Sequence, residues 1–319
     1  MDEFVNIYGQ DLAIHILKSA ISKKHICPAY LFSGPEGVGR KKTAKVFIKS
    51  ILNINSSREG TLRKIESKNH PDLLWIEPTY KVQGKSISKE KAKLENINIK
   101  STPQIRLNQI KEIIEFLGKS PLVSERNIVI IEDIEQMNES ASNALLKTLE
   151  EPHTGLFILI TQRSEKLLST IRSRCQIVPF IRLNNKQVNH IIQKLDVAQE
   201  IHDIPNEKIK DLISFSEGSP GKYLKNLQYW LDISSALKQD LDIKLKNQVD
   251  VLKIAKVITD ELNIEQQLWF INFQQNMIWE RENNYTLVKK LEVLRKQLLT
   301  YVQPRLAWEL ALLEINFSN

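Results

Sequence analysis

The stretch Ser33-Gly34-Pro35-Glu36-Gly37-Val38-Gly39-Arg40-Lys41-Lys42-Thr43 sets glycines close to the spacing of a phosphate-binding loop. In that motif backbone N–H groups cradle phosphates, a lysine after the last glycine reaches the terminal ones, and the next hydroxyl ligates magnesium. With Gly34 and Gly39 as the framing glycines, Arg40 stands at the lysine position and Lys41 at the hydroxyl position. Moving the frame so that Lys42-Thr43 supplies the pair requires glycine at 36 and 41, where Glu36 and Lys41 stand. No register restores the motif. Arg40 keeps a planar cation able to pair with a phosphate, whereas a cation at Lys41 replaces a neutral oxygen and repels magnesium. Gly34, Gly37, Gly39, Arg40 and Lys41 are therefore candidate nucleotide-binding residues, with ATP binding allowed and hydrolysis not expected. The competing explanation is a glycine turn that only packs a strand on a helix.

A second acidic position belongs to the same chemistry. Nucleotide hydrolases built on a parallel sheet carry an Asp at the end of a second buried strand for magnesium, often followed by a Glu that activates water. Here the run Asn127-Ile128-Val129-Ile130-Ile131 ends in Glu132-Asp133, the two acids in reversed order. The would-be base is one methylene short and the metal-side acid one methylene long. Misplacement by about 1 Å at a reacting centre can cost on the order of a hundredfold in rate, so the reversal also counts against turnover. Alternatively, the pair only solvates or caps a strand end.

These residues need a scaffold, and the first half of the chain supplies its pattern. "AYLFSG", "DLLWIEP", "NIVIIED" and "LFILITQ" read as buried strands. Between them "DLAIHILKSAIS", "IRLNQIKEIIEFLGK" and "NESASNALLKTLEE" repeat apolar residues at helical spacing, the last with Asn138 as a predicted N-cap. Strands alternating with helices predict an α/β domain with a parallel sheet over residues 1–182. From about Leu183 the strand signals stop. We expect a small helical lid domain over 183–226 and an all-α domain over 227–319, in which Trp269, Trp279 and Trp308 act as core or interface anchors on amphipathic helices. The Lys-rich segment 81–95, "KVQGKSISKEKAKLE", reads as an exposed, solvated insertion rather than a dedicated DNA-binding arm.

Bulk properties narrow the classes. With 319 residues, 42% hydrophobic and 26% charged, the chain has the balance of a multidomain globular protein. No apolar run approaches the ~20 residues that cross a bilayer, and "MDEFVNIYGQ" is no signal peptide, so a cytoplasmic location is expected. Cys27 and Cys175 are the only cysteines, which excludes a disulfide framework and a four-cysteine metal site. A net charge of +7 permits contact with nucleic acid or an acidic partner, but a solvated Lys-rich surface is the commoner cause of such a charge.

The segment "NESASNALLKTLEEPHTGLFILITQRSEKLLSTIRSRCQIVPF" resembles the clamp-loader branch of the AAA+ superfamily, block for block. The match includes Asn143-Ala144-Leu145-Leu146-Lys147, Leu149-Glu150-Glu151-Pro152 and Ser173-Arg174-Cys175, and extends to "NHPDL", "GSPGKYL" and the terminal "PRLAWEL". The resemblance implies an AAA+ domain with a degenerate phosphate loop, a lid and a collar that holds five subunits in a ring. It implies a structural subunit of the bacterial replicative clamp loader, acting with motor ATPase subunits and a clamp-opening subunit to load the sliding clamp on primed DNA. A catalytically active motor subunit is the alternative. Ser173-Arg174-Cys175 would present Arg174 as an arginine finger to the nucleotide site of a neighbouring subunit, where its fixed fork meets phosphoryl charge. The phosphate-sensing residue of the family would fall on Thr161 or Gln162, and its second sensor, an Arg, on Gly221 beside Lys222. Cys175 is expected to pack rather than react. Related subunits carry a four-cysteine zinc module before the "HPD" block; "ILNINSSREGTLRKIESKNHPDL" has no cysteine, so no zinc is expected, and His70 reads as a packing or turn residue.

Overall fold

The computed structural model describes residues 3–52, 59–82, 84–88, 91–92, 102–150, 155–194, 204–234, 237–238, 247–300 and 302–317. By its contacts the chain divides into two units, Met1–Ile191 with Ser219–Gly221, and Ile192–Gly218 with Lys222–Asn319.

In chain order the first unit contains α1 (Asp11–Ser22), β1 (Ala29–Ser33), α2 (Arg40–Ile51), α3 (Glu59–Glu66), β2 (Leu73–Ile76), β3 (Thr79–Val82) and β4 (Lys85–Ser88). These are followed by α4 (Leu107–Leu117), β5 (Ile128–Ile131), α5 (Glu139–Glu150), β6 (Leu156–Thr161), α6 (Ser169–Ser173) and β7 (Gln176–Pro179). Five strands form one parallel sheet in the order β2-β5-β6-β1-β7. The central strands are buried along their whole length, as a sheet covered on both faces requires, which is why "IVII" and "LFILIT" show no alternation. Helix α4 places Ile110, Ile113 and Leu117 against Val129, Ile131 and Leu159 in the main core. Helix α5 starts where Asn138 predicts it, with the Ala141 N–H donating to Asn138 Oδ1 at 2.9 Å.

Strand register places the chemistry. Ser33 pairs with Thr161 on one side and Pro179 on the other, and Ile131 pairs with Leu159. The loop after Ser33, the acids after Ile131 and the residues after Thr161 therefore emerge together at the carboxyl edge, where ligands of open parallel sheets bind. Two features differ from expectation. The start of the Lys-rich insertion is not an unstructured loop: Thr79–Val82 and Lys85–Ser88 pair antiparallel about Gly84. Most of the remainder, 89–90 and 93–95, lies outside the described residues. The fifth strand, β7, is also additional to the four predicted.

Beyond the sheet, a helix spans Asn185–Lys194. The second unit is helical, with Asn206–Phe215, Pro220–Asp232, Gln248–Glu261, Ile264–Glu282, Tyr285–Leu299 and Pro304–Phe317. Trp269 stacks on Phe273 at 5.5 Å and donates its Nε1–H to Asn226 Oδ1 at 2.9 Å. Trp308 donates to Gln267 Oε1 at 3.0 Å. Both indoles thus bury their rings while their single polar atom is satisfied. Trp279, by contrast, is half exposed. No helix among the described residues is long and apolar enough to cross a membrane.

Candidate functional site

The glycine loop folds back tightly on the sheet. Gly34 donates its N–H to Thr161 O at 3.2 Å, and Phe180 donates to Ser33 O at 2.7 Å. A Cβ at Gly34 would lie 2.3 Å from Phe180 O, so no larger residue fits between β1 and the chain leaving β7. Gly39 is the N-cap residue of α2, in the left-handed conformation, and Gly37 also has positive φ. Thr43 spends its hydroxyl on Gly39 O at 3.0 Å, inside its own helix rather than toward a ligand.

The two residues at the chemical positions of the loop have separate fates. Arg40 is 6% exposed, and its Nη1 is buried without a hydrogen-bond partner. Burial pushes the guanidinium pKa down; the negative charges of Asp133, Glu135, Glu36 and Glu132 act against that shift. Lys41 is largely exposed along its side chain and forms an ion pair with Glu132 Oε2. Glu132 is itself buried, 3% exposed. Its Oε1 accepts the Trp75 Nε1–H at 2.6 Å, and Lys68 Nζ lies 4.0 Å from the same oxygen. The Lys45 and Lys68 ammonium groups sit 5.6 and 5.2 Å from the Trp75 ring centre, a cation–π arrangement that adds positive charge to the surroundings of one carboxylate. Asp133 follows in the left-handed conformation. Burial raises its pKa, with Glu135 reinforcing the shift and Lys41 opposing it.

Thr161 and Gln162 complete the edge. Thr161 is fully buried, and its Oγ1 accepts the Arg163 N–H at 3.1 Å. Gln162 is exposed and donates its backbone N–H to Glu135 Oε1 at 3.0 Å. Together with Lys41, Glu132, Asp133, Glu135 and Tyr80, Gln162 lines an open cleft of about 560 Å³. At the second-sensor position, Gly221 donates its N–H to Gly37 O at 2.9 Å, and Ser219 Oγ donates to Glu36 O at 2.7 Å. A Cβ at 221 would come within 2.7 Å of Gly37 Cα. The site thus lacks a sensor cation at 221 and, in this packing, has no room for one.

Arg174 lies apart from this cluster, capping the C-terminus of α6. Its Nη1 donates to Thr170 O at 3.0 Å and its Nη2 is ion-paired with Glu150. Ser173 Oγ also donates to Thr170 O, at 3.0 Å. Cys175 packs against the main core, and burial pushes its thiol up to about 12, the condition of an inert packing residue. Among the described residues no group of three or more His, Cys, Asp or Glu is disposed to hold a metal. Magnesium fits the loop badly: the position of its hydroxyl ligand holds an ammonium, and both oxygens of Glu132 are already engaged.

One functional-looking element escaped the sequence reading. Asp72, in the "NHPDL" block, is 1% exposed and accepts the N–H groups of Leu122, Val123 and Ser124 at 2.6, 2.8 and 2.7 Å, with the Ser124 hydroxyl as a fourth donor. His70 is buried beside it and accepts the Asp72 N–H on Nδ1 at 3.2 Å. The motif is therefore a loop clamp, and its partners lie some fifty residues away, beyond the reach of spacing arguments.

A parallel sheet with a glycine loop after β1, acids at the end of β5 and a helical second unit is the AAA+ P-loop architecture. A DNA polymerase III gamma subunit-related protein of Thermotoga maritima shares it, at a TM-score of 0.53 and 15% identity over 93% of this chain and 97% of that one. Residues 9–184 match the family described as DNA polymerase III, delta subunit, and residues 183–315 match the cyanobacterial DNA polymerase III delta prime C-terminal domain. The chain belongs to the DNA polymerase III delta prime family. It is 33% identical to DNA polymerase III subunit delta' of Bacillus subtilis over 195 residues, 59% of this chain and 53% of that protein. It is 29% identical to the delta' subunit of Pseudomonas aeruginosa over 202 residues, covering 60% and 53%. Similarity to the B. subtilis tau subunit is 26% over 274 residues, covering 84% and 45%. The chain spans about half the length of these relatives.

Proposed function

We propose that this chain is a structural, non-hydrolysing subunit of a bacterial replicative clamp loader. In this reading it braces a five-membered ring of motor ATPase subunits and a clamp-opening subunit, and supports loading of the sliding clamp on primed DNA. Its catalytic contribution is made in trans by Arg174, aimed at the phosphates in a neighbour's site. The observation that carries the reading is the state of the loop: the cation at the lysine position is buried, and the residue at the hydroxyl position is engaged with Glu132. Phosphoryl transfer needs a lysine on the terminal phosphates and an oxygen on magnesium, and neither is available. The reversed Glu132-Asp133 pair and the filled second-sensor position support the same conclusion.

Arg174 suits the assigned role because it stands at the surface at the end of a short helix, held by a partly exposed ion pair with Glu150 and one hydrogen bond to Thr170 O. Reconstitution with candidate loader subunits tests both halves. The isolated chain is expected to show no ATP turnover with magnesium, and Arg174→Ala is expected to assemble normally while lowering the ATPase of the complex. Turnover by the isolated chain that vanishes with Arg40→Ala would instead identify an active motor subunit.

A further inference from the structure

The geometry points to Lys41 as a tethered replacement for magnesium: its ammonium holds the buried Glu132 carboxylate where a hydrolase would use the metal, so loop and sheet stay joined without metal or nucleotide. This rests on the non-hydrolysing reading of the loop but goes beyond it, because it assigns Lys41 a structural function instead of a mere loss.

Three observations converge. First, α2 opens with Arg40, Lys41 and Lys42 and carries no acid in its first turn. A helix N-terminus favours anions, so three cations there are unfavourable unless negative charge faces them. Second, that negative charge is supplied across the sheet edge by Glu132, which is 3% exposed and so needs a partner of opposite sign or a full set of donors. Third, Trp75 fixes which oxygen meets which partner. Its Nε1–H takes Oε1 at 2.6 Å, leaving Oε2 to the Lys41 ammonium. Lys68, at 4.0 Å from Oε1, also pairs with Glu77 at 2.9 Å and so is shared between two carboxylates. Asp133, Glu135 and Glu36 are further acids of this edge, where Glu77, Arg163 and Lys166 also line the cleft, and Arg40 is the cation the three acids act upon.

A compact point charge on a flexible stem is the side-chain cation nearest in form to a metal ion. The mimic differs from the metal in one testable respect: it cannot be removed by chelation. Wild-type thermal unfolding is therefore expected to be the same in EDTA and in millimolar magnesium chloride.

Lys41→Ser restores a hydroxyl and strips the carboxylate of its cation. Its Tm in EDTA is expected to fall by about 3–8 °C, the range for a buried carboxylate left with only the distant, shared Lys68. Magnesium chloride is expected to recover at least half of that fall. Lys41→Ser combined with Glu132→Gln is expected to unfold near the wild-type temperature and to ignore magnesium, since no charge is left to neutralise. Lys41→Ser with unchanged Tm, or a lowered Tm that magnesium leaves untouched, overturns the inference. If Lys41→Ser does not fold, Lys41→Met, Glu132→Gln and their combination give the coupling directly, and strictly additive losses overturn it as well. These readouts use the isolated chain and no ATP. The structural-subunit reading, in contrast, fails on ATP turnover, so the two can be lost independently.

Discussion

Arg174 is folded onto its own domain, with its guanidinium in an ion pair with Glu150 and a hydrogen bond of 3.0 Å to Thr170 O. Glu150, of the Leu149-Glu150-Glu151-Pro152 block, closes α5, so it meets Arg174 of the Ser173-Arg174-Cys175 block in space. The side chains are 34% and 52% exposed, and exposed pairs of this kind contribute about 0–1 kcal/mol. Such a contact can orient a side chain but yields to phosphate charge.

Glu150→Gln is therefore expected to change stability by less than ~1 kcal/mol and to leave the ATPase of a reconstituted complex at or above the wild-type level. If Arg174 acts in trans as proposed, Arg174→Ala is expected to slow one site of the complex by on the order of 10³-fold, and Arg174→Lys to rescue little of it, because an ammonium lacks the planar fork. Steady-state ATPase on gel-filtered complexes checks all three. A Glu150→Gln complex as impaired as Arg174→Ala would show that the ion pair is itself part of the active arrangement.

Asp72 makes a second prediction. Burial raises its pKa, yet the hydrogen bonds from Ser124, Leu122 and Val123 outweigh burial and the net shift is downward from 3.8. A carboxylate whose folded pKa lies below its unfolded value adds stability that is complete above about pH 4 and is lost as pH falls through the folded value. Asp72→Asn is expected to cost roughly 2–4 kcal/mol at neutral pH, because charge-assisted bonds to three N–H groups and a hydroxyl are weakened together. The gap between wild type and variant is expected to narrow on acidification below pH 4. Chemical denaturation at several pH values measures it, and a gap independent of pH would assign the clamp to shape rather than charge. The same loop exposes Leu122 and Val123, so the clamp fixes the backbone that presents them.

Much of this architecture was legible from local patterns. Helix Asp11–Ser22 coincides with the predicted "DLAIHILKSAIS", and Asn138 caps the helix it was expected to cap, because both depend on spacing within one or two turns. The three central strand segments were readable because burial on both faces makes them continuously apolar, and the edge strand Leu73–Ile76 was readable from its short apolar run. Strand Gln176–Pro179 was not, since two of its four residues are exposed at a sheet edge and it ends in proline. The hairpin about Gly84 had a signal in its glycine turn, which the surrounding lysines masked. At the candidate site the residue types at 40, 41, 132 and 133 exposed the defect, but the pairing of Lys41 with Glu132 spans ninety-one residues and follows only once the sheet is assembled. Asp72 and its loop are hidden for the same reason.

The packing of Gly221 on Gly37 predicts a steric limit on repair. Gly221→Ala sets a methyl group 2.7 Å from a backbone carbon that cannot rotate away, and is expected to cost roughly 1–3 kcal/mol. Gly34→Ala, at 2.3 Å from Phe180 O, is expected to cost more than about 3 kcal/mol, in the range reserved for severe overpacking. Thermal unfolding ranks them. Gly221→Arg is accordingly not expected to restore a sensor cation, and an Arg at 221 that confers ATP-dependent stabilisation would show that the segment 219–221 can leave the loop.

Cys175 separates a packing role from a reactive one. Burial alone pushes its thiol from 9.0 to about 12, so at pH 8 the thiolate, the nucleophilic form, is scarce. Alkylation by iodoacetamide is expected to be slower than in the unfolded chain by roughly 10³-fold, from the loss of thiolate alone. The same shift has a stability consequence. A thiol whose folded pKa is raised favours the native state fully below its unfolded pKa, and the advantage is lost as pH rises toward the folded value. Between about pH 9 and pH 12 the wild type should therefore lose stability relative to Cys175→Ala. Peptide-resolved mass spectrometry after timed labelling decides the matter. Native Cys175 that labels as fast as the unfolded chain would mean that Ser173-Arg174-Cys175 opens to solvent, and that the segment carrying Arg174 is less firmly seated than its packing implies.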